Sequence, residues 1–207
     1  MLVALLIALG YGSRAASGTP DPNVLYHWST AIDALVQDAI LLVLVLAIAG
    51  FDRRLFALRR PRGFRRTGRT IVLGLVAIYV FEVVYGRLVH VGNEQGLTPD
   101  RWQPAHTLAY VANGIVICGW VPFVEELTYR GLGYSLLERF GRWPAILVVG
   151  VLFGLAHGLI LSLPVIAAFG CVLAWIRART RSVVPGMVLH AAFNLVALVA
   201  AVTIGGA

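Results

Sequence analysis

The stretch 106-HTLAYVANGIVICGWVPFVEELTYR-130 decides how this chain is read. Residues 106–124 form a predominantly apolar run close to the roughly 20 residues that cross the hydrocarbon of a bilayer. The run ends on two adjacent carboxylates, Glu125 and Glu126, with Arg130 one helical turn beyond. Ionisable groups are costly inside a membrane and stay there only where they have a task, so the end of this run is a functional suspect. Working outward, further apolar stretches lie at about residues 31–51, 70–91, 143–163, 164–177 and 182–204.

Composition agrees. The 207 residues are 59% hydrophobic and only 13% charged, too few charges to coat a soluble fold of this size. The expected fold class is all-α, a polytopic transmembrane bundle of about six to seven helices. The first span is the least clean, because Asp33, Gln37 and Asp38 interrupt it and only Ala39 to Phe51 is uniformly apolar. Met1 to Gly12 is apolar but short and lacks a basic leader, and Ala15-Ala16-Ser17 resembles a cleavage site, so it reads as a signal peptide or a shortened helix. Ser13 to Asn23, with Gly18, Pro20 and Pro22, reads as an extracytoplasmic loop. The chain then divides into residues 1–30, a short hydrophobic segment and loop; 31–105, N-terminal membrane helices; and 106–207, the part carrying the chemistry.

All 17 basic residues are arginine, and eight crowd into one loop: Arg53, Arg54, Arg59, Arg60, Arg62, Arg65, Arg66 and Arg69. The positive-inside rule places that loop in the cytoplasm, resting on anionic lipid rather than on nucleic acid. Alternation then sets the other loops, with Arg139, Arg142, Arg177, Arg179 and Arg181 inside and Arg14, Arg87 and Arg101 outside. The expected location is a cell membrane, multi-pass, and the all-arginine, alanine-rich composition points to a bacterial plasma membrane. Cys118 and Cys171 fall in different spans without ligand spacing and read as reduced packing residues.

Three polar groups interrupt the later spans. On a helix Glu125 and Glu126 point about 100° apart, while Glu126 and Arg130 share a face and can pair. That leaves Glu125 uncompensated, the kind of buried acid able to take a proton from water. Pro122, just before, is placed to bend the helix and open its backbone. The second group is Phe153-Gly154-Leu155-Ala156-His157 and the third His190-Ala191-Ala192-Phe193-Asn194, each with its end residues four apart on one face. Measured along regular helices, Glu125 lies about 21 Å from Arg139, His157 about 22 Å from Arg142 and Asn194 about 20 Å from Arg181. His190 lies one turn nearer the cytoplasm. Polar groups of three helices thus reach a similar depth. Glu82, in the second span, reads as a buried acid satisfied by a neighbour, with a place at the substrate entrance as the alternative.

In order and setting, Glu125-Glu126-x-x-x-Arg130, Phe153-x-x-x-His157 and His190-x-x-x-Asn194 resemble the three motifs of the CPBP intramembrane proteases. That family includes the type II CAAX prenyl endopeptidases and the bacteriocin-processing proteins. Tyr129, Gly131 and Ala192-Phe193 also fit its pattern, and the resemblance covers about residues 106–204. It implies a peptidase acting on a peptide or membrane-associated protein, with Glu125 as general base on a water held between it and His157. Glu126 and Arg130 would orient that base, His190 and Asn194 would donate to the oxyanion, and Phe153 would line the site by packing.

No cofactor is expected. A zinc version, ligated by Glu125, His157 and His190, is the alternative, although no H-E-x-x-H is present and each ligand comes from a different helix. Two other classes fit parts of the pattern. A non-catalytic scaffold or immunity protein of the same fold would not need Glu125, and a proton-coupled carrier would show inverted repeats, of which there is no sign.

Overall fold

The computed structural model describes residues 2–17, 21–50, 52–61, 63–94, 96–99 and 101–203. Met1, Gly18, Pro20, Phe51, Arg62 and residue 204, named in the expectations above, lie outside them. The described residues form eight helices and no strand: α1 Leu2–Ser17, α2 Trp28–Ala49, α3 Arg53–Phe56, α4 Phe64–Leu88, α5 Pro104–Phe140, α6 Arg142–Ala156, α7 Leu163–Thr180 and α8 Val184–Thr203. Five of them, α2, α4, α5, α7 and α8, are long and apolar enough to cross a bilayer, and the protein is a multi-pass membrane protein. Ile32, Val36, Ile40 and Val43 of α2 and Val72, Val76, Val80 and Val83 of α4 are exposed, as side chains that face lipid rather than water should be.

α5 lies between two cores. One face buries Val124, Leu127 and Leu132 against Leu41, Val45 and Ala49 of α2 and Phe56 of α3. The other carries Tyr129 and Tyr134 into a larger cluster with Phe153 of α6, Phe169 and Leu173 of α7 and Leu189 of α8. α6 and α7 approach through glycine. A Cβ on Gly150 would collide with the Cys171 Sγ and stand 2.6 Å from that residue's backbone nitrogen, and one on Gly170 would stand 2.7 Å from the Gly150 carbonyl oxygen. Small residues let helix backbones meet closely where van der Waals contact, not water exclusion, drives association.

Three sequence expectations are corrected. Ser13–Ser17 is not loop but the last turn of α1, where Ala15 and Ala16 extend the helix and Arg14 donates to the backbone carbonyl of Glu94. The span expected over 143–163 stops at Ala156. There the chain reverses through Gly158 at φ 65°, and a Cβ would stand 2.6 Å from the Gly10 carbonyl oxygen of α1. At 15 residues, α6 is about 22 Å long, short of the ~30 Å hydrocarbon, and His157 follows directly on its last turn. Glu82 is exposed on α4 rather than buried.

The start of α7 is capped from a distance. Glu94, in the loop after α4, accepts the backbone N–H groups of Ile160 (2.7 Å), Leu161 (3.1 Å) and Ser162 (2.7 Å). Burial pushes its carboxyl up, but the hydrogen bonds from Ile160, Ser162 and Leu161 outweigh that and hold it below the usual carboxylate range.

Candidate active site

Pro122 lies within the unbroken helical run of α5. It follows a π-helical segment, Val116–Trp120, in which the Val121 N–H bonds the Val116 carbonyl five residues back. The same pairing would bring the nitrogen of residue 122 to the Ile117 carbonyl, and proline has no N–H to give. The Asn194 side-chain amide of α8 supplies that donor at 2.8 Å. Asn194 therefore uses one amide hydrogen to satisfy a backbone group that α5 cannot satisfy itself, and keeps a second.

A longer π segment, Glu126–Gly133, follows after five α-helical residues, Val121–Glu125. Single π turns inside α-helices recur at functional sites, and this one carries the acidic motif. Arg130 and Glu126 are fully buried side chains joined at 2.8 Å between Nη1 and Oε1. Arg130 also donates from Nη2 to the Gly170 carbonyl of α7 at 3.1 Å, and its guanidinium lies 4.2 Å over the Phe153 ring. Gly186, in the first turn of α8, makes room for the other Glu126 oxygen, which would stand 2.5 Å from a Cβ there.

His190 of α8 lies between the two carboxylates. Its Nε2 is 3.6 Å from Glu125 Oε2 and its Nδ1 3.4 Å from Glu126 Oε1. Phe169 and Phe153 stand edge-on to its ring, at 5.1 and 5.8 Å between centroids. His157 is held differently. Its Nδ1 lies 2.8 Å from the Phe153 carbonyl, which can only accept. The proton is therefore on Nδ1, leaving the Nε2 lone pair for another partner.

Glu125 and His157 line one cavity of ≈ 580 Å³ between α1, α2, α5 and α6. Its remaining wall includes Tyr129, Asp38 and Gln37 of α2, and Leu6, Gly10 and Arg14 of α1. That volume is within the range of small-molecule and peptide side-chain pockets. Asp38, 6% exposed with Oδ2 lacking a hydrogen-bond partner, is a cavity residue that motif reading passed over. In sequence its signal was present only as an acid interrupting the first span.

Of the six motif residues, Glu125, Glu126, Arg130 and His190 meet directly. His157 shares the cavity with Glu125, and Asn194 is anchored on Ile117. The axial depths were off by about a turn, since His190 rather than Asn194 is level with Glu125. α5 is not a regular α-helix, so a ruler of 1.5 Å per residue misplaces its residues. For zinc the fit is poor: Glu125, His157 and His190 do not converge, and among the described residues no three His, Cys, Asp or Glu side chains group as metal ligands.

No curated protein and no solved structure matches the chain. Residues 106–196, which run from the start of α5 past Asn194, match the family model described as type II CAAX prenyl endopeptidase Rce1-like. Over that part of the chain, which carries all three polar motifs, the protein is similar to this family of intramembrane CAAX proteases.

Proposed function

We propose that the protein is an intramembrane endopeptidase that hydrolyses a peptide bond of a membrane-associated substrate with a water activated by Glu125. The observation that carries this reading is the shared cavity. It presents a carboxylate that no arginine pairs among the described residues and a histidine with a free Nε2 to the same volume.

In this reading, water in the cavity loses a proton to Glu125 as its oxygen bonds the scissile carbonyl carbon, with His157 Nε2 accepting the water's other hydrogen to orient it. Negative charge develops on the carbonyl oxygen, and His190 and the second Asn194 N–H donate to it. The C–N bond then breaks, and the proton held by Glu125 passes to the leaving amine. Glu126 and Arg130 act as positioning residues: their buried pair fixes the π segment and keeps His190 turned toward Glu125. The substrate enters from the lipid, with α1 and α2 as the walls it must pass, and no step runs through a metal ion.

The test is cleavage of a quenched fluorescent peptide library by detergent-purified protein, with Glu125→Gln and a chelator in parallel. Wild-type cleavage, a dead Glu125→Gln and indifference to the chelator are expected. Equal turnover by the variant would remove Glu125 as the base, and loss of activity to the chelator would turn the reading to a metallopeptidase.

A further inference from the structure

A second cavity, of ≈ 340 Å³, opens at the arginine-rich end of the bundle, where the start of α4 meets the end of α7. Arg59, Arg60, Arg66, Arg179 and Arg181 line it, and no acid does. None of the five forms an ion pair among the described residues. The five are exposed, so solvent and salt moderate their mutual repulsion, but all five cations face one volume with no acid to balance them. A bound anion would reverse the sign of that interaction.

The frame around the cavity is built rather than draped. Arg59 Nε donates to the Arg181 carbonyl at 2.6 Å, Val183 N to the Ala57 carbonyl at 3.2 Å, and the Ser182 hydroxyl to the Arg59 carbonyl. Ala57 and Arg181 are the only non-glycine residues with positive φ among those described, at 48° and 55°. Both lie on this frame. Each is the left-handed residue that ends a helix, Ala57 after α3 and Arg181 after α7, so both helix ends are fixed at the rim of the cavity. Three threonines complete the wall. Thr70 and Thr180 spend their hydroxyls on backbone carbonyls, whereas Thr67 is 7% exposed and its Oγ1 has no partner.

We infer that this cavity is a binding site for a phosphate group, carried by an anionic lipid headgroup or free in solution. Guanidinium forks match phosphate oxygens in geometry and charge, and the Thr67 hydroxyl, unpartnered and closed to solvent, becomes a neutral donor once its side chain turns into the cavity. The site is separate from the acidic motif and does not depend on the peptidase reading. It differs from the general attraction of a basic loop to the membrane in being local: the charges inside the cavity matter, and equal charges outside it do not.

The experiment uses the full chain purified in neutral detergent. Binding is titrated by native mass spectrometry and thermal shift with inorganic phosphate in one arm, and with mixed micelles containing 5 mol% phosphatidic acid or phosphatidylglycerol in the other. The proposal predicts saturable binding of one equivalent, weakened at least tenfold in Arg60→Gln/Arg66→Gln and less than twofold in Arg53→Gln/Arg54→Gln, which removes the same charge outside the cavity. Preference for the lipid micelles identifies a headgroup site, and preference for inorganic phosphate a soluble one. Thr67→Val leaves every charge in place and deletes no intramolecular hydrogen bond. A several-fold weakening in that variant is expected, and it keeps the test decisive should the arginine variant fold poorly. Equal losses in the two arginine pairs, unchanged binding in Thr67→Val, or no saturable binding in either arm would overturn the proposal.

Discussion

Replacing Arg130 by methionine tests whether the buried pair organises the site. Both side chains of the pair are 0% exposed. Without Arg130, Glu126 keeps only His190 at 3.4 Å, and its second oxygen already lacks a partner. Breaking a buried pair from one side costs about 3–5 kcal/mol because a charge is left uncompensated. Glu126→Gln should cost a similar amount, since Arg130 then keeps only the Gly170 carbonyl and the Phe153 face. The double variant leaves no buried charge, so its cost should fall to about 2–3 kcal/mol, from lost packing and a cation–π contact worth about 1–2. The singles would then sum to several kcal/mol more than the double, a large negative coupling. Equilibrium unfolding in mixed micelles, followed by the fluorescence of the five tryptophans, measures all four species. A single Arg130→Met cost below about 1 kcal/mol, or a double variant as costly as the sum, would refute the argument.

Three further outcomes are expected. Gly150→Val should prevent α6 from closing on α7 and cost more than a typical ~1–3 kcal/mol overpacking change, because the collision involves the Cys171 backbone as well as its sulfur; a normal melting temperature would contradict the packing account. Glu94 has a carboxyl held below its ordinary range, so its capping of α7 is fully present above the ordinary glutamate value and lost as pH falls through the lower folded value. The gap in melting temperature between wild type and Glu94→Gln should therefore be open at pH 7 and close as acidification takes the carboxyl through its lowered folded value, and a pH-independent gap would exclude this cap. Asn194→Ala should lower kcat by about 10²–10³ with little change in KM if the second amide hydrogen meets the oxyanion, and a pure stability loss with normal kcat would restrict Asn194 to serving the Ile117 carbonyl.

Much of this protein was legible without coordinates. Hydrophobic runs of bilayer length specify an all-α membrane bundle because no other backbone arrangement without a closed barrel satisfies its hydrogen bonds in lipid. The i, i+4 spacing of Glu126 and Arg130 dictates their pairing as long as the segment is helical. Other features depended on contacts distant in sequence. That Pro122 is absorbed by a π segment and answered by Asn194 depends on α8 lying beside α5. That the fourth span stops at Ala156 depends on Gly10 of α1 pressing against Gly158, a contact no local pattern announces. Asp38 looked like a flaw in an apolar run until α2 was set against α5, and Arg59, Arg60 and Arg66 looked like part of a different topogenic cluster from Arg179 and Arg181 until the fold closed these five round one cavity. Periodicity and composition report which face of a helix is apolar and where it meets water; which helices meet, and at what register, is decided by side-chain volumes packing across the whole bundle.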